Sequence, residues 1–348
     1  MAWRCAQSAW GARAGLPAGI MGPVERVRLR EVAALAGVSV GLASAVLNGR
    51  PVRARPETVA RILEAARVLG YRPDPLARGM RLGRTGVLAL VVPNLTNPYY
   101  PSLALAAQRA AWERGLEVLV YANPTEDLAQ VARAAAARRV DGGLLVVSHY
   151  RREDLLAHLP PDLPWVGIGH AEGPLPFDQV VFRDREAARE AVLYLAGRGK
   201  GRIAHLSGPQ SSPTARARLR GYWEGVRALG LPGRVAEGNF RYGGNEKALE
   251  ALLDWGADAL LAANDLMALE ALTFLHDRGV RVPQEVAVVG FDGIPMTEWV
   301  RPRLTTVLRP PEAPARAALE RLEARLSGEE GPPRVVRLTP RLLTRESA

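Results

Sequence analysis

The spacing of apolar residues changes character near residue 85, and the change divides the chain. Between Val27 and Asn48 (VRLREVAALAGVSVGLASAVLN), Leu29, Val32, Ala33 and Ala36 recur at helical spacing. Gly37 can take the left-handed position that ends a helix, and Ser39 can cap the next one. A loop with Gly49 and Pro51 follows, then Pro56 opens PETVARILEAARVLG, which Gly70 closes. Three helices in this stretch predict a small all-α unit over residues 27–72. In YRPDPLARGMRLGRTG, Asp74 can cap and Pro75 can start a short helix before Gly83, so residues 73–84 read as a linker. Gly79 costs that helix about 1 kcal/mol relative to alanine. Its folding therefore depends on what it binds.

From Val87 onward short apolar runs alternate with helical stretches. VLALVVP, EVLVYAN, GGLLVVS, PWVGIG, RIAHLSG, ADALLAAN and EVAVVGF suit buried parallel strands. Between them lie amphipathic segments such as PSLALAAQRAAWERG, EDLAQVARAAAARR, REAAREAVLYLAGRG, TARARLRGYWEGVRALG and LMALEALTFLHDRG. This alternation predicts open parallel sheets wrapped by helices, and the number of strands suggests two of them over residues 85–348. Ligands then bind at the C-terminal ends of strands, where loops of both lobes face a cleft.

Charge is distributed unevenly over these parts. The chain carries a formal net charge of +10, of which +7 lies between Val24 and Arg84, where twelve arginines face five acids. Residues 1–23 add Arg4 and Arg13, leaving residues 85–348 close to neutral. A basic small unit ahead of a nearly neutral large one is the footprint of phosphate binding. The helix pair at 27–48 thus reads as a helix-turn-helix, whose second helix lies in a DNA major groove, rather than as an αα-hairpin of an enzyme. Residues 1–26 lack a continuous apolar run and read as a disordered extension or as the product of a start site placed too early, with Met21 the start. No run of eighteen apolar residues occurs, so no membrane partner is expected. The single cysteine, Cys5, permits no disulfide within one chain and suits a cytoplasmic location.

Several separated motifs then point the same way: EVAALAGVSVGLASAVLNG, YRPDPLARGMRLGRTGVLALVVPNLTNPYY, AANDLMALEAL, and VPQEVAVVGFDGIP followed by RPRLTTV. From about residue 27 to the C-terminus the chain resembles the LacI/GalR family of bacterial transcription regulators. The resemblance implies a helix-turn-helix domain and a hinge helix, followed by a two-lobed, periplasmic-binding-protein-like α/β domain that binds a small effector and dimerises. The expected partners are an inverted-repeat operator on double-stranded DNA, a sugar, nucleobase or related metabolite, and a second copy of the chain. No cofactor or metal is expected.

On the DNA side the expected contacts are Ser39, Val40, Gly41, Leu42, Ser44, Ala45, Asn48 and Arg50. The family usually carries threonine where Leu42 stands and often arginine or another polar residue where Ala45 stands, so hydrogen-bond reading of bases is reduced here and apolar contact and DNA shape gain weight. Ser44 and Asn48 suit either a DNA contact or a local backbone bond. In the linker, Ala77, Arg78, Met80 and Arg81 are expected in the minor groove, with Met80 at the position of the family's wedging leucine.

By the same resemblance the effector pocket is expected from Tyr99, Tyr100, Phe182, Thr214, Arg218, Phe240, Asn264 and Asp292. Arg218 would hold a hydroxyl pair or a carboxylate bidentately, and the phenylalanines would form apolar walls. Where many members carry aspartate after Phe182, this chain has Arg183 and then Asp184. An enzyme finds little support: HExxH, P-loop and GxSxG motifs are absent, the five histidines are scattered, and GIGHAEG misses the dinucleotide spacing at Glu172. The competing reading is a solute-binding protein of the same large fold, which has no use for the basic helical unit.

Overall fold

The computed structural model describes residues 27–49, 51–71, 84–123, 127–137 and 140–348. The chain divides into two compact units, 1–83 and 84–348. In the first, helices α1 (Leu29–Ala36), α2 (Val40–Leu47) and α3 (Pro56–Leu69) surround a small core of Val32, Ala33, Ala36, Ala43, Ile62, Ala65 and Ala66. Helix α1 stops because Gly37 adopts φ 62° and ψ 42°, which lets the Val38 N–H donate back to the Ala33 carbonyl at 3.0 Å. Two residues later the Ser39 hydroxyl accepts from the Leu42 N–H at 3.2 Å and starts α2. The chain bends by 105° between the two helices, within the range of a helix-turn-helix.

The second unit runs β1 (Val87–Val92), α4 (Tyr99–Trp112), β2 (Glu117–Ala122), α5 (Leu128–Ala137), β3 (Gly142–Val146), α6 (Arg152–His158), β4 (Trp165–Ile168) and β5 (Asp178–Phe182). It continues through α7 (Asp184–Gly197), β6 (Ile203–Ser207), α8 (Pro213–Ala228), β7 (Arg234–Glu237), α9 (Glu246–Asp254), β8 (Ala259–Ala262), α10 (Asp265–Asp277) and β9 (Ala287–Asp292). The last elements are β10 (Thr305–Leu308), α11 (Glu312–Leu326), β11 (Val335–Leu338) and β12 (Arg341–Leu343). They form two six-stranded sheets, one ordered β11-β5-β4-β3-β1-β2 and the other β12-β10-β9-β8-β6-β7. All neighbours are parallel except β10 and β12. Each sheet is the centre of one lobe, and the chain passes between lobes after Phe182, after Leu308 and after Leu338.

The seven apolar runs are β1, β2, β3, β4, β6, β8 and β9. Strands β5, β7, β10, β11 and β12 and helices α6, α9 and α11 were not among the predicted elements. Strand β5 hides behind its polar start: Asp178 is fully buried and accepts from Arg321, from Arg325 and from the Arg334 N–H at 2.7–3.1 Å. The burial of this carboxyl would raise its pKa, but those hydrogen bonds outweigh it and hold the group at about 2. Residues far along the chain thus make an aspartate acceptable inside a sheet.

Helices α7 and α8 pack closely because α8 presents two glycines one turn apart. A Cβ on Gly221 would fall on the Arg185 carbonyl oxygen, and one on Gly225 would lie 2.7 Å from Val192 Cβ. Gly197, at the end of α7, has open space around it. Gly221→Ala is therefore expected to destabilise the protein by about 1–3 kcal/mol through overpacking, whereas Gly197→Ala should be neutral or stabilising by up to about 1 kcal/mol. Urea denaturation of the two variants checks the difference, and equal midpoints would remove close helix packing as its cause.

Candidate nucleic-acid interface and effector cleft

On α2, Val40 and Gly41 are exposed and Ala45 is half-buried, so these side chains form the accessible part of the helix. Leu42 packs against the small core, and Ser44 is buried. Ser39 is exposed, but its hydroxyl is engaged in the cap. The Asn48 amide donates to the Ser44 carbonyl at 2.7 Å, the local backbone use foreseen for it. Arg50, Ala77, Arg78, Met80 and Arg81 lie outside the described residues, as does the extension at 1–26. Around the helix pair, Arg28, Arg30, Arg53, Arg55 and Arg61 are exposed and make no ion pair among the described residues. Arg67 alone is neutralised, by Glu64. Five free guanidinium groups on a unit this small are suited to phosphate contacts.

In the second unit the expected pocket residues converge where the lobes join. Arg218, 2% exposed, projects from the first turns of α8. It donates from Nε and Nη2 to Asp184 Oδ1 at 3.1 and 3.0 Å, from Nη2 to Asp292 Oδ1 at 3.4 Å, and from Nη1 to the Ala263 carbonyl. Its plane stacks on the Phe291 ring at 3.8 Å. A second arginine, Arg309, leaves β10 into the same cluster and donates from Nη1 to Asp292 Oδ1 at 2.9 Å, with Nε 3.7 Å from Asp184. Its guanidinium lies over the Phe182 and Tyr99 rings at 4.6 and 5.0 Å. Burial opposes ionisation of Asp184, but Arg309, Arg218 and the His170 contact at 3.0 Å hold its carboxyl well below the usual range. Asp184, and not the exposed Arg183, therefore fills the inward position after Phe182.

The remaining predicted residues surround this cluster. Thr214 donates to Ser148 Oγ at 3.0 Å and joins α8 to the end of β3 across the lobes. Asn264 caps α10 by accepting from the Met267 N–H at 3.0 Å and donates to the Phe240 carbonyl at 2.8 Å. Tyr99 and Tyr100 meet edge to face with centroids 5.9 Å apart. Phe182 is buried and acts as a platform for Arg309, whereas Phe240 is half-buried at the edge of the second lobe's core. Among the described residues, the non-glycine residues with positive φ are Phe240 (61°) and Asp292 (117°). Strained backbone of this kind clusters at binding sites. A cavity of about 270 Å³ opens beside the cluster, lined among others by Tyr99, Ser102, Arg109, Asp292, Pro311 and Glu312. No group of three metal-ligating side chains occurs among the described residues.

The comparisons with known proteins agree with this geometry. Residues 28–74 match the model for bacterial regulatory proteins of the lacI family, and residues 192–348 match a periplasmic binding protein-like domain. The HTH-type transcriptional regulator CelR of Thermobifida fusca is 35% identical, over 92% of this chain and 98% of the relative. The ribose operon repressor of Escherichia coli K12 is 31% identical over 92% of this chain and 99% of its own length. This chain belongs to the LacI family. It is a DNA-binding transcriptional regulator. Among solved structures, a complex of CelR with cellobiose aligns at TM-score 0.70 with 33% identity, covering 93% of this chain and all of that one. The lac repressor dimer bound to operator and the anti-inducer ONPF aligns at TM-score 0.83 and 23% identity, over 93% and 99% of the two chains, which shows the shared fold.

Within this LacI-family site, sequence reading missed Arg309, Asp265 and His170. A lone arginine after TTVL reads as a surface charge, and only the topology brings it inward. Asp265 is the anchor behind Asp292: it accepts from the Gly293 and Ile294 N–H groups at 2.6 and 2.8 Å and from Thr306 Oγ1 at 2.6 Å. Burial, with Asp292 nearby, pushes its pKa up to about 7. His205, stacked on Tyr222 with centroids 5.1 Å apart and held at the Leu261 carbonyl, is pushed down to about 4 by burial.

These two groups give stability opposite pH dependences between about pH 4 and 7. In that range Asp265 is protonated when folded and ionised when unfolded, so acidification stabilises. His205 is neutral when folded and protonated when unfolded below about pH 6.5, so acidification destabilises. The expected unfolding free energy is nearly flat from pH 7 to about 4.5. Below about pH 4 it falls steeply, as Asp178 and Asp184 are protonated in the unfolded chain before the folded one. In Asp265→Asn the compensation is removed, and stability should decline from about pH 6.5 downward. Denaturation midpoints across pH test this, and a parallel pH profile in the variant would rule Asp265 out as the compensating group.

Proposed function

We propose that this regulator is a homodimeric, cytoplasmic repressor whose operator affinity is set by a small carbohydrate bound between the lobes of its second unit. The observation that carries the reading is the buried four-charge cluster at the crossovers, in a chain that also presents a basic helix-turn-helix. Support for the ligand class comes from CelR in complex with cellobiose, at 33% identity, and from the ribose operon repressor. The domain reading is 27–72 for DNA binding, 73–84 for the hinge and 85–348 for effector binding and dimerisation. These relatives are regulators rather than enzymes, and no single helix among the described residues is long and apolar enough to cross a membrane.

The dimer has a candidate face. Leu105, Arg109 and Trp112 follow one another on the same side of α4, and Leu105 and Arg109 line one cavity with Pro295. Trp112 is 78% exposed, and Trp299, just beyond Pro295, is 71% exposed. Two exposed tryptophans, each a few residues along the chain from residues that line this cavity, support an association surface here. Trp112→Glu combined with Trp299→Glu is expected to convert the dimer into a monomer in sedimentation, and a retained dimer would move the interface elsewhere.

Control of DNA binding is tested by mobility shift with the gene's own upstream region at rising salt, with and without sugars. Binding should be sequence-preferring, with affinity falling steeply as salt rises. Arg53→Ala should weaken operator and random DNA alike and reduce the slope of log K against log salt by about 0.9 for each phosphate left without its arginine. Met80→Ala should weaken the operator much more than random DNA, the signature of a minor-groove wedge. Equal losses on both DNAs would remove Met80 from that role, and salt-insensitive, non-preferential binding would favour the solute-binding reading.

A further inference from the structure

Glycine weakens a helix more than any residue except proline, so a glycine inside a helix calls for a physical reason. Gly221 and Gly225 have one in the close packing of α8 on α7, and Gly197 is the last residue of α7. Gly41 has none within the protein. It lies in the first turn of α2, it is exposed, and its φ is not positive. A Cβ there would meet nothing closer than Ser39 Oγ at 4.0 Å, an ordinary contact. The side chain is thus missing where the folded chain would accept one and gain helix stability. The accessible positions beside it carry hydrocarbon only. Val40 is 47% exposed, and Ala45 lies one turn beyond Gly41. The three polar side chains of residues 39–48 are engaged or covered: Ser39 Oγ caps the helix, the Asn48 amide donates to the Ser44 carbonyl, and Ser44 is buried.

We propose that Gly41 is where α2 comes closest to the edges of the bases, and that the helix selects its site through thymine methyl groups packed against Val40 and Ala45. This rests on DNA binding by the helix-turn-helix and is independent of the effector. A recognition helix in the major groove meets base edges with the side chains of its first turns. A missing Cβ at that place lets the backbone approach more closely than any other residue allows. The methyl groups on either side are thereby lowered onto the bases. In the major groove thymine presents its C5 methyl group, whereas guanine, adenine and cytosine present hydrogen-bonding atoms without it. A hydrocarbon surface therefore ranks thymine above the other bases at the positions it touches. The exposed arginines around the helix pair, Arg28, Arg30, Arg53, Arg55 and Arg61, suit phosphates and are blind to this difference.

The test uses the full-length protein and a duplex that it enriches from a random-sequence pool. Replacing single thymines of that duplex by deoxyuridine removes one methyl group and leaves every hydrogen-bonding group in place. At one or more of these thymines the affinity should fall about fourfold, the effect of leaving one such group unburied. In Val40→Ala the loss at one of those positions should shrink towards zero, because the two groups act as a pair. Gly41→Ala should melt at the wild-type temperature or above it, bind random DNA unchanged, and bind the enriched duplex about tenfold more weakly through overpacking against the bases. Tolerance of uracil at every thymine, or equal uracil losses in wild type and Val40→Ala, would overturn the methyl reading and assign site selection to parts outside α2. A lower melting temperature of Gly41→Ala would show that the glycine serves the fold. Undiminished binding of the enriched duplex by that variant, or equal losses on both DNAs, would remove Gly41 as the point of closest approach. If no sequence is enriched from the pool, both parts of the proposal fall.

Discussion

The buried pairing of Asp184 and Asp292 with Arg218 and Arg309 is the constraint on which the rest of the second unit depends. Asp184 begins α7 just after the first crossover, and Arg309 lies on the second, so two of the three chain passages between lobes end in this cluster. Taking four charges out of water is costly, and their mutual attraction offsets it only while the geometry is kept. All four charges belong to elements of the second lobe, so their pairing fixes the ends of β9 and β10 and the start of α7 relative to one another. From the first lobe the cluster is met by Phe182 and Tyr99 under Arg309 and by His170 at Asp184.

The shell around the cluster explains how it stays organised. Asp265 fixes the backbone of Gly293 and Ile294 and so fixes the turn on which Asp292 sits at φ 117°. Burial first, and then repulsion by Asp292, push its pKa up to about 7, so it gains its proton as the pH falls below neutrality. Across the cleft, Ser148 meets Thr214 at 3.0 Å, His170 meets Asp184 at 3.0 Å and Glu172 meets Arg216 at 3.3 Å. The last of these pairs is partly exposed and contributes little. The other two contacts are better shielded from water, and they join the ends of strands of both lobes around the cluster.

How much of this was legible in the sequence follows from how local each signal is. The Gly37 turn and the Ser39 cap depend on neighbours within three residues, and the structure contains them as the pattern suggested. Continuous apolar runs such as VLALVV and GGLLV mark strands because both of their faces are buried. Strand β5 was not legible, because its Asp178 is tolerated only through arginines of α11, far away in sequence. Arg309 failed for the same reason: its burial is a property of the crossover, not of its neighbours. Arg218 was read from the resemblance as a ligand-holding residue; that its guanidinium is also bonded to Asp184, Asp292 and the Ala263 carbonyl is visible only once the fold brings those residues together.

The same distinction between committed and free groups applies to the first unit. On α2 the polar atoms are already engaged: the Ser39 hydroxyl caps the helix, the Asn48 amide closes its end, and Ser44 is buried. What remains accessible is Val40, Gly41 and the partly covered Ala45, which offer methyl groups and close backbone approach rather than hydrogen bonds. Methyl groups of this kind suit contact with thymine methyls, and they offer no bidentate donor pair for guanine. The unpaired arginines around it add affinity without adding sequence information. Discrimination among DNA sites therefore has to be shared with features outside α2, and a device that fixes the distance between two copies of it can supply that share. The effector then needs no contact with the helix-turn-helix to control it. Were two copies held together through their second units, a change in that association would alter the spacing of two reading helices and weaken operator binding, while phosphate attraction stayed intact.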